Sequence, residues 1–135
     1  EGKAKLTKDL QDRNAALWCL IGCDNIPGNT TTDPGKFTDF SIRGLNALGI
    51  PMDADAFIRM GERVYNLTRQ FNVREGFARK DDNMPPRFEE PRDDTGWKVE
   101  RADFERMLDE YYALRGWDKD GRPAPATLKR LGLSA

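Results

Sequence analysis

Apolar residues recur along this chain at helical intervals, and no stretch of useful length alternates apolar and polar positions as a strand would. The clearest run is Phe57, Met60, Val64, Leu67 and Phe71, whose steps of 3, 4, 3 and 4 lay a seam along one face of a helix. Asp53, after Pro51, caps its start, and Gly76 stops it by taking a left-handed turn without a Cβ clash. Upstream, Leu6, Leu10, Leu17 and Leu20 predict a helix from Lys3 to about Cys19, with Lys5, Lys8, Asp9, Asp12 and Arg13 on its wet side. Asp24 to Asn29 ends that helix, and Thr30 to Gly35 reads as loop. A second helix is predicted over Phe37 to Leu48, with Phe37, Phe40, Leu45 and Leu48 inward and Gly49 as its stop.

From Lys80 to Lys98 no period holds, and Pro85-Pro86 forbids helix there. A fourth helix follows over Arg101 to Arg115, with Phe104, Met107, Leu108, Tyr111 and Leu114 on one side and Gly116 ending it. Pro125 opens a short last helix through Leu131. The predicted fold class is all-α, a single domain over 1–135. Four to five helices pack around Phe37, Phe57, Val64, Leu67, Phe71, Phe104, Leu108 and Tyr111, with a long irregular loop between the third and fourth.

Composition narrows the function. The apolar fraction of 38% and charged fraction of 33% suit helices with one apolar stripe and a salt-bridged exterior. A net charge of −1 argues against nucleic acid as a partner, because phosphate binding shows as a basic excess. The longest strongly apolar run, Ala15 to Cys23, is far too short to span a membrane, and no signal peptide is visible, so a soluble, cytoplasmic protein is expected. Absence of histidine removes the commonest acid–base group and metal ligand. The chain opens at Glu1-Gly2-Lys3 without methionine; a piece of a longer polypeptide, methionine removal or tag cleavage would each give that start.

Cys19 and Cys23 are the only soft metal ligands. Four apart on a helix they share a face, but two thiolates are half the set that zinc or an iron–sulfur cluster requires, and buried packing is the alternative. A structural disulfide between them is not expected. Asp81-Asp82 could serve a metal or acid–base step, yet Arg79, Lys80 and Arg87 stand nearby, so structural ion pairing is the stronger reading. Tyr111, Tyr112 and Trp117 read as core and rim. Arg74 and Glu75 read as a brace toward a neighbouring domain rather than substrate contacts, within a mixed-charge loop that is otherwise a solvated turn. No residue stands out as catalytic.

Three strings carry a family likeness: Gly61-Glu62-Arg63-Val64-Tyr65-Asn66-Leu67, Phe71 to Phe77, and Arg79-Lys80-Asp81-Asp82 with Pro85-Pro86-Arg87-Phe88. A further block, Met107 to Tyr112 with Arg115-Gly116-Trp117-Asp118, and the closing Leu131-Gly132-Leu133 extend it. From about Gly2 to Leu133, and least between Asp24 and Lys36, the chain resembles the C-terminal domain of the tungsten-dependent aldehyde:ferredoxin oxidoreductases.

That resemblance implies part of an enzyme oxidising an aldehyde to a carboxylate at a tungsten (or molybdenum) bis-pterin centre. Electrons would pass through a [4Fe–4S] cluster to ferredoxin. It places Cys23 at the last cluster ligand, the other three lying in an earlier Cys-x-x-Cys-x-x-x-Cys stretch that this chain lacks. Gly22 and Asp24 beside it would be cofactor contacts. The family's Asp-x-x-Gly-Leu-Cys reads here Trp18-Cys19-Leu20-Ile21-Gly22-Cys23, so the aspartate is replaced and the glycine falls one place late. A one-turn slip of register would make Cys19 the ligand instead. The implied partners are the N-terminal domains of the same polypeptide, ferredoxin and the aldehyde, with no nucleic acid and no membrane; the chain alone would be inactive. The rival reading is a free-standing helical interaction module without a redox role.

Overall fold

The computed structural model of the chain describes residues 2–21 and 34–134. Among them run five α-helices and no strand: α1 Lys3–Cys19, α2 Pro34–Ala47, α3 Ala54–Arg74, α4 Arg101–Arg115 and α5 Pro125–Leu131. The all-α expectation holds. Between α3 and α4 lies the expected irregular stretch, broken only by two short 3-10 turns at Arg79–Asp81 and Pro86–Glu89.

Local chemistry sets the helix ends. The Asp53 side chain accepts from the Ala56 amide at 2.7 Å, satisfying one of the orphan donors at the start of α3. Gly116 and Gly132 close α4 and α5 in the left-handed conformation, with φ of 66° and 65°. Helix α2 starts earlier than its apolar spacing predicts. Pro34 and Gly35, expected in a loop, form its first turn, where proline's missing N–H would have no helical partner anyway. The loop expected over residues 24–33 lies outside the described residues, as does the side chain of Phe37.

Helix α3 is the hub, packed against α1, α2 and α5, while α4 lies along α1. Gly61 lets α1 in: a Cβ there would sit 1.7 Å from the Asp12 carbonyl oxygen and 3.0 Å from the Ala16 amide. On α1 the facing residues are small, with Ala4, Ala15 and Ala16 buried. One apolar cluster, Ala16, Leu45 and Phe57 with Ile42, Met52, Ile58 and Met60 around it, joins α1, α2 and α3. Fully burying Phe57 contributes about 1.5–3 kcal/mol.

The expected core is corrected here. Phe57 is buried, but Leu67 and Phe71 are 57% and 54% exposed, and Phe40 on α2 and Leu48 just after it also face solvent. Val64, Phe104, Leu108 and Tyr111 are only half-buried. Asp12, read from the sequence as wet, is fully buried. At about 3.6 residues per turn, the seam from Met60 to Phe71 and the face that α3 buries lie on nearly opposite sides, meeting at Phe57. The buried face carries Gly61, Glu62, Asn66 and Arg69. Much of the chain's interior is therefore polar and must be satisfied by internal partners.

Candidate functional site

Two arginines organise that interior. Arg115, at the end of α4, is wholly buried against Asp12 of α1. Its Nη2 donates to Gln11 Oε1 at 2.8 Å and its Nε to the Tyr111 hydroxyl at 2.9 Å, while Tyr111 donates on to Gln11 at 2.6 Å. The guanidinium also lies 4.6 Å from the centre of the Tyr65 ring. Lys8 reaches the other Asp12 oxygen at 2.8 Å.

Arg69 of α3 holds the second knot. Its Nε donates to the Gly121 carbonyl at 2.7 Å and its Nη1 to Asp82 Oδ1 at 2.9 Å, while Nη2 bonds the second Asp82 oxygen. This is the two-pronged geometry that a planar guanidinium offers a carboxylate. The Tyr112 hydroxyl donates to the same carboxylate, and the Trp117 ring lies 4.7 Å from the guanidinium carbon. Trp117 Nε1 in turn donates to Asn66 Oδ1 at 2.8 Å. Gly121 is required by this closeness, since a Cβ there would meet Arg69 Nη2 at 2.0 Å.

Between the knots, bounded by α1, α3 and α4, is a cavity of about 430 Å³ lined by Tyr65, Phe104, Leu108, Tyr111, Tyr112 and Trp117 among others. Burial pushes all three tyrosines above their ordinary pKa, and at Tyr112 the hydrogen bond to Asp82 adds to it. The tyrosines of the cavity are held neutral, and the Asp82 carboxylate is clamped by Arg69.

The candidate residues of the sequence fall as follows. Gly22, Cys23 and Asp24 lie outside the described residues. Cys19, on the last turn of α1, is an exposed free thiol. Ile21, two residues before Cys23, takes a left-handed φ of 57° with its side chain 95% exposed, a costly conformation for a β-branched residue. With Trp18 half exposed, the end of α1 presents an apolar surface. Among the described residues no group of three or more cysteines, aspartates or glutamates is placed to hold a metal ion. Asp81 and Asp82 diverge: Asp81 accepts from the Ala78 amide at 2.9 Å while Asp82 joins the Arg69 knot. The expected ion pairing is present, but its partner is Arg69 rather than Arg79, Lys80 or Arg87. Arg79 binds Glu105 and Asp109 of α4, and Arg87 binds Glu90. Arg74 and Glu75 are exposed and pair with each other at 3.2 Å.

Asp12, Glu62, Asn66, Arg69 and Arg115 were not legible as interior residues. A signal existed on α3, where Glu62, Asn66 and Arg69 repeat at steps of 4 and 3, a helical stripe running opposite the apolar one.

The described residues form a helical unit whose charged hub is satisfied by internal partners. The family described as aldehyde ferredoxin oxidoreductase, domains 2 and 3, matches residues 1–133, and the chain belongs to that family. Over 89 residues it is 42% identical to a tungsten-containing aldehyde ferredoxin oxidoreductase of Pyrococcus horikoshii, covering 64% of this chain and 15% of the relative. Over 90 residues it is 37% identical to the Pyrococcus furiosus protein of the same description, covering 65% and 15%. The match thus spans about 15% of the relatives' length. Among solved structures, the active-site complex BamBC of benzoyl coenzyme A reductase, in complex with 1,5-dienoyl-CoA, superposes with a TM-score of 0.78 at 26% identity. That superposition covers 96% of this chain and 19% of the other.

Proposed function

We propose that this chain is the C-terminal helical part of a cytoplasmic oxidoreductase that converts an aldehyde to a carboxylate, with ferredoxin taking the electrons. The observation that carries this reading is the family match over residues 1–133, with the tungsten-containing relatives beside it. Oxidising an aldehyde with one water to the carboxylate releases three protons and two electrons. A tungsten (or molybdenum) bis-pterin centre, when bound, supplies that two-electron chemistry, and a [4Fe–4S] cluster supplies the exit in single-electron steps.

The residues of this chain fit a contributory role. Two cysteines and no histidine make at most two of the four thiolates a cubane requires, so the remaining ligands must come from elsewhere in a longer polypeptide. Cys23 follows the left-handed Ile21 by two residues in the sequence, and the end of α1 before it presents an exposed apolar surface. Gly22 and Asp24 flank it as cofactor contacts. The chain by itself is inactive on this reading. No described helix is long and apolar enough to cross a membrane.

The test is electron paramagnetic resonance on the reduced complete polypeptide. Cys23→Ser abolishes or cripples the cluster signal, while Cys19→Ser leaves it intact. The reverse pattern moves the ligand back one helical turn to Cys19. Normal signals in both remove the cluster assignment from this segment.

A further inference from the structure

The apolar seam of α3 that the other described residues leave partly uncovered forms the floor of two adjoining grooves. One, of about 520 Å³, runs over Met60, Val64 and Leu67; the other, of about 740 Å³, over Leu67 and Phe71. They meet at Leu67 and Leu133, the latter positioned where Gln70 Nε2 donates to the Ser134 carbonyl at 2.7 Å and holds the C-terminal segment on α3. The side chain exposure is large for such a strip, 57% at Leu67 and 54% at Phe71. A contiguous apolar strip of this kind marks a contact surface.

Its rim has one sign. Arg59 and Arg63 line the first groove and Arg74 and Arg122 the second, and no aspartate or glutamate lines either. Arg74 and Arg122 have local carboxylates, Glu75 at 3.2 Å and Asp120 at 3.3 Å. Among the described residues, no carboxylate pairs with Arg59 or Arg63, although the two stand four apart on one helix, where like charges repel. The arrangement asks for carboxylates from outside.

We infer that the Met60–Phe71 face of α3 is the seat of an acidic amphipathic segment, supplied by the same polypeptide outside these 135 residues. It would set aliphatic side chains on Val64, Leu67 and Phe71 and carboxylates on Arg59 and Arg63. The choice of occupant follows from charge and connectivity. A second copy docking through the same face would bring the uncompensated Arg59 and Arg63 against their own counterparts, which disfavours a symmetric pair. A covalently linked segment arrives at high effective concentration, and the matched relatives are several times longer than the part this chain covers. The inference rests on the proposed reading only in treating this chain as part of a longer one.

Photo-crosslinking in the complete polypeptide tests it, with Leu67 replaced by benzoylphenylalanine, and with Leu133 replaced instead if the first variant does not fold. The expected product is an intramolecular cross-link to a peptide outside these residues that carries aspartate or glutamate between aliphatic residues. Paired Arg59→Glu and Arg63→Glu substitutions lower its yield roughly ten-fold by placing like charges together, and Arg59→Lys with Arg63→Lys retains it. A cross-link to a second copy, to a different protein, or no cross-link from the folded protein overturns the inference. Aldehyde turnover is read separately. The expected cross-link without turnover sinks the proposed activity and leaves the docking face standing, and turnover without the cross-link does the opposite.

Discussion

Arg115 and Asp12 lie against each other with both side chains completely buried, although 103 residues separate them in the chain. Removing one partner of such a pair strands the other charge away from water. Arg115→Met is therefore expected to cost about 3–5 kcal/mol, toward the lower figure because Lys8 also contacts Asp12. Asp12→Leu combined with Arg115→Met should cost less than Arg115→Met alone. Urea unfolding of the three proteins checks the order; a double variant worse than the single would show that the pair contributes net attraction.

Two glycines separate backbone contact from helix propensity. Alanine is the better helix former by about 1 kcal/mol, so Gly44→Ala on α2, where a Cβ meets nothing within 4 Å, should stabilise by about 0.4–1 kcal/mol. Gly61→Ala should do the opposite and cost about 3 kcal/mol or more, because its Cβ falls on the Asp12 carbonyl. Thermal midpoints moving in the same direction would refute the close approach of α1 and α3.

All three tyrosines of the chain belong to the arginine knots, so phenolate absorbance reports on them alone. Their folded pKa values are raised, chiefly by burial, so the folded state holds these protons more tightly than the unfolded one. That contribution to stability is full below the ordinary tyrosine value of 10.0 and is lost as pH rises above it. Phenolate should therefore form together with unfolding. Reversible titration near pH 10 in a protein that stays folded would contradict the burial.

Glu62 behaves with the opposite sign. Arg130 donates to both its oxygens, at 2.9 and 2.7 Å, and holds its pKa below the ordinary 4.5, assisted by Lys8. The stabilisation is present above the unfolded value and is lost as pH falls through the lowered folded one. Glu62→Gln should flatten the acid limb of the stability curve below pH 4.5, read from urea midpoints across that range. An unchanged acid limb would show that Arg130 does not favour the ionised form.

Local chemistry along the chain was enough to determine where its described helices lie, except for the start of α2. Capping by Asp53, the proline at 125, and glycines at 76, 116 and 132 act on their own turns, so their effect needs no knowledge of the rest of the fold. The start of α2 was misplaced because its first turn, from Pro34, carries no apolar period. Family membership was likewise written in the order of the strings from Gly61 to Trp117. The inward face of α3 was decided only in three dimensions. Periodicity finds the apolar side of a helix, but whether that side meets this chain depends on what approaches it, and Gly61 admits α1 on the other side. Once α1 and α4 close there, Asp12, Arg69 and Arg115 are removed from water. They stay because partners 103, 13 and 43 residues away satisfy them, a match that no local reading of charge can foresee.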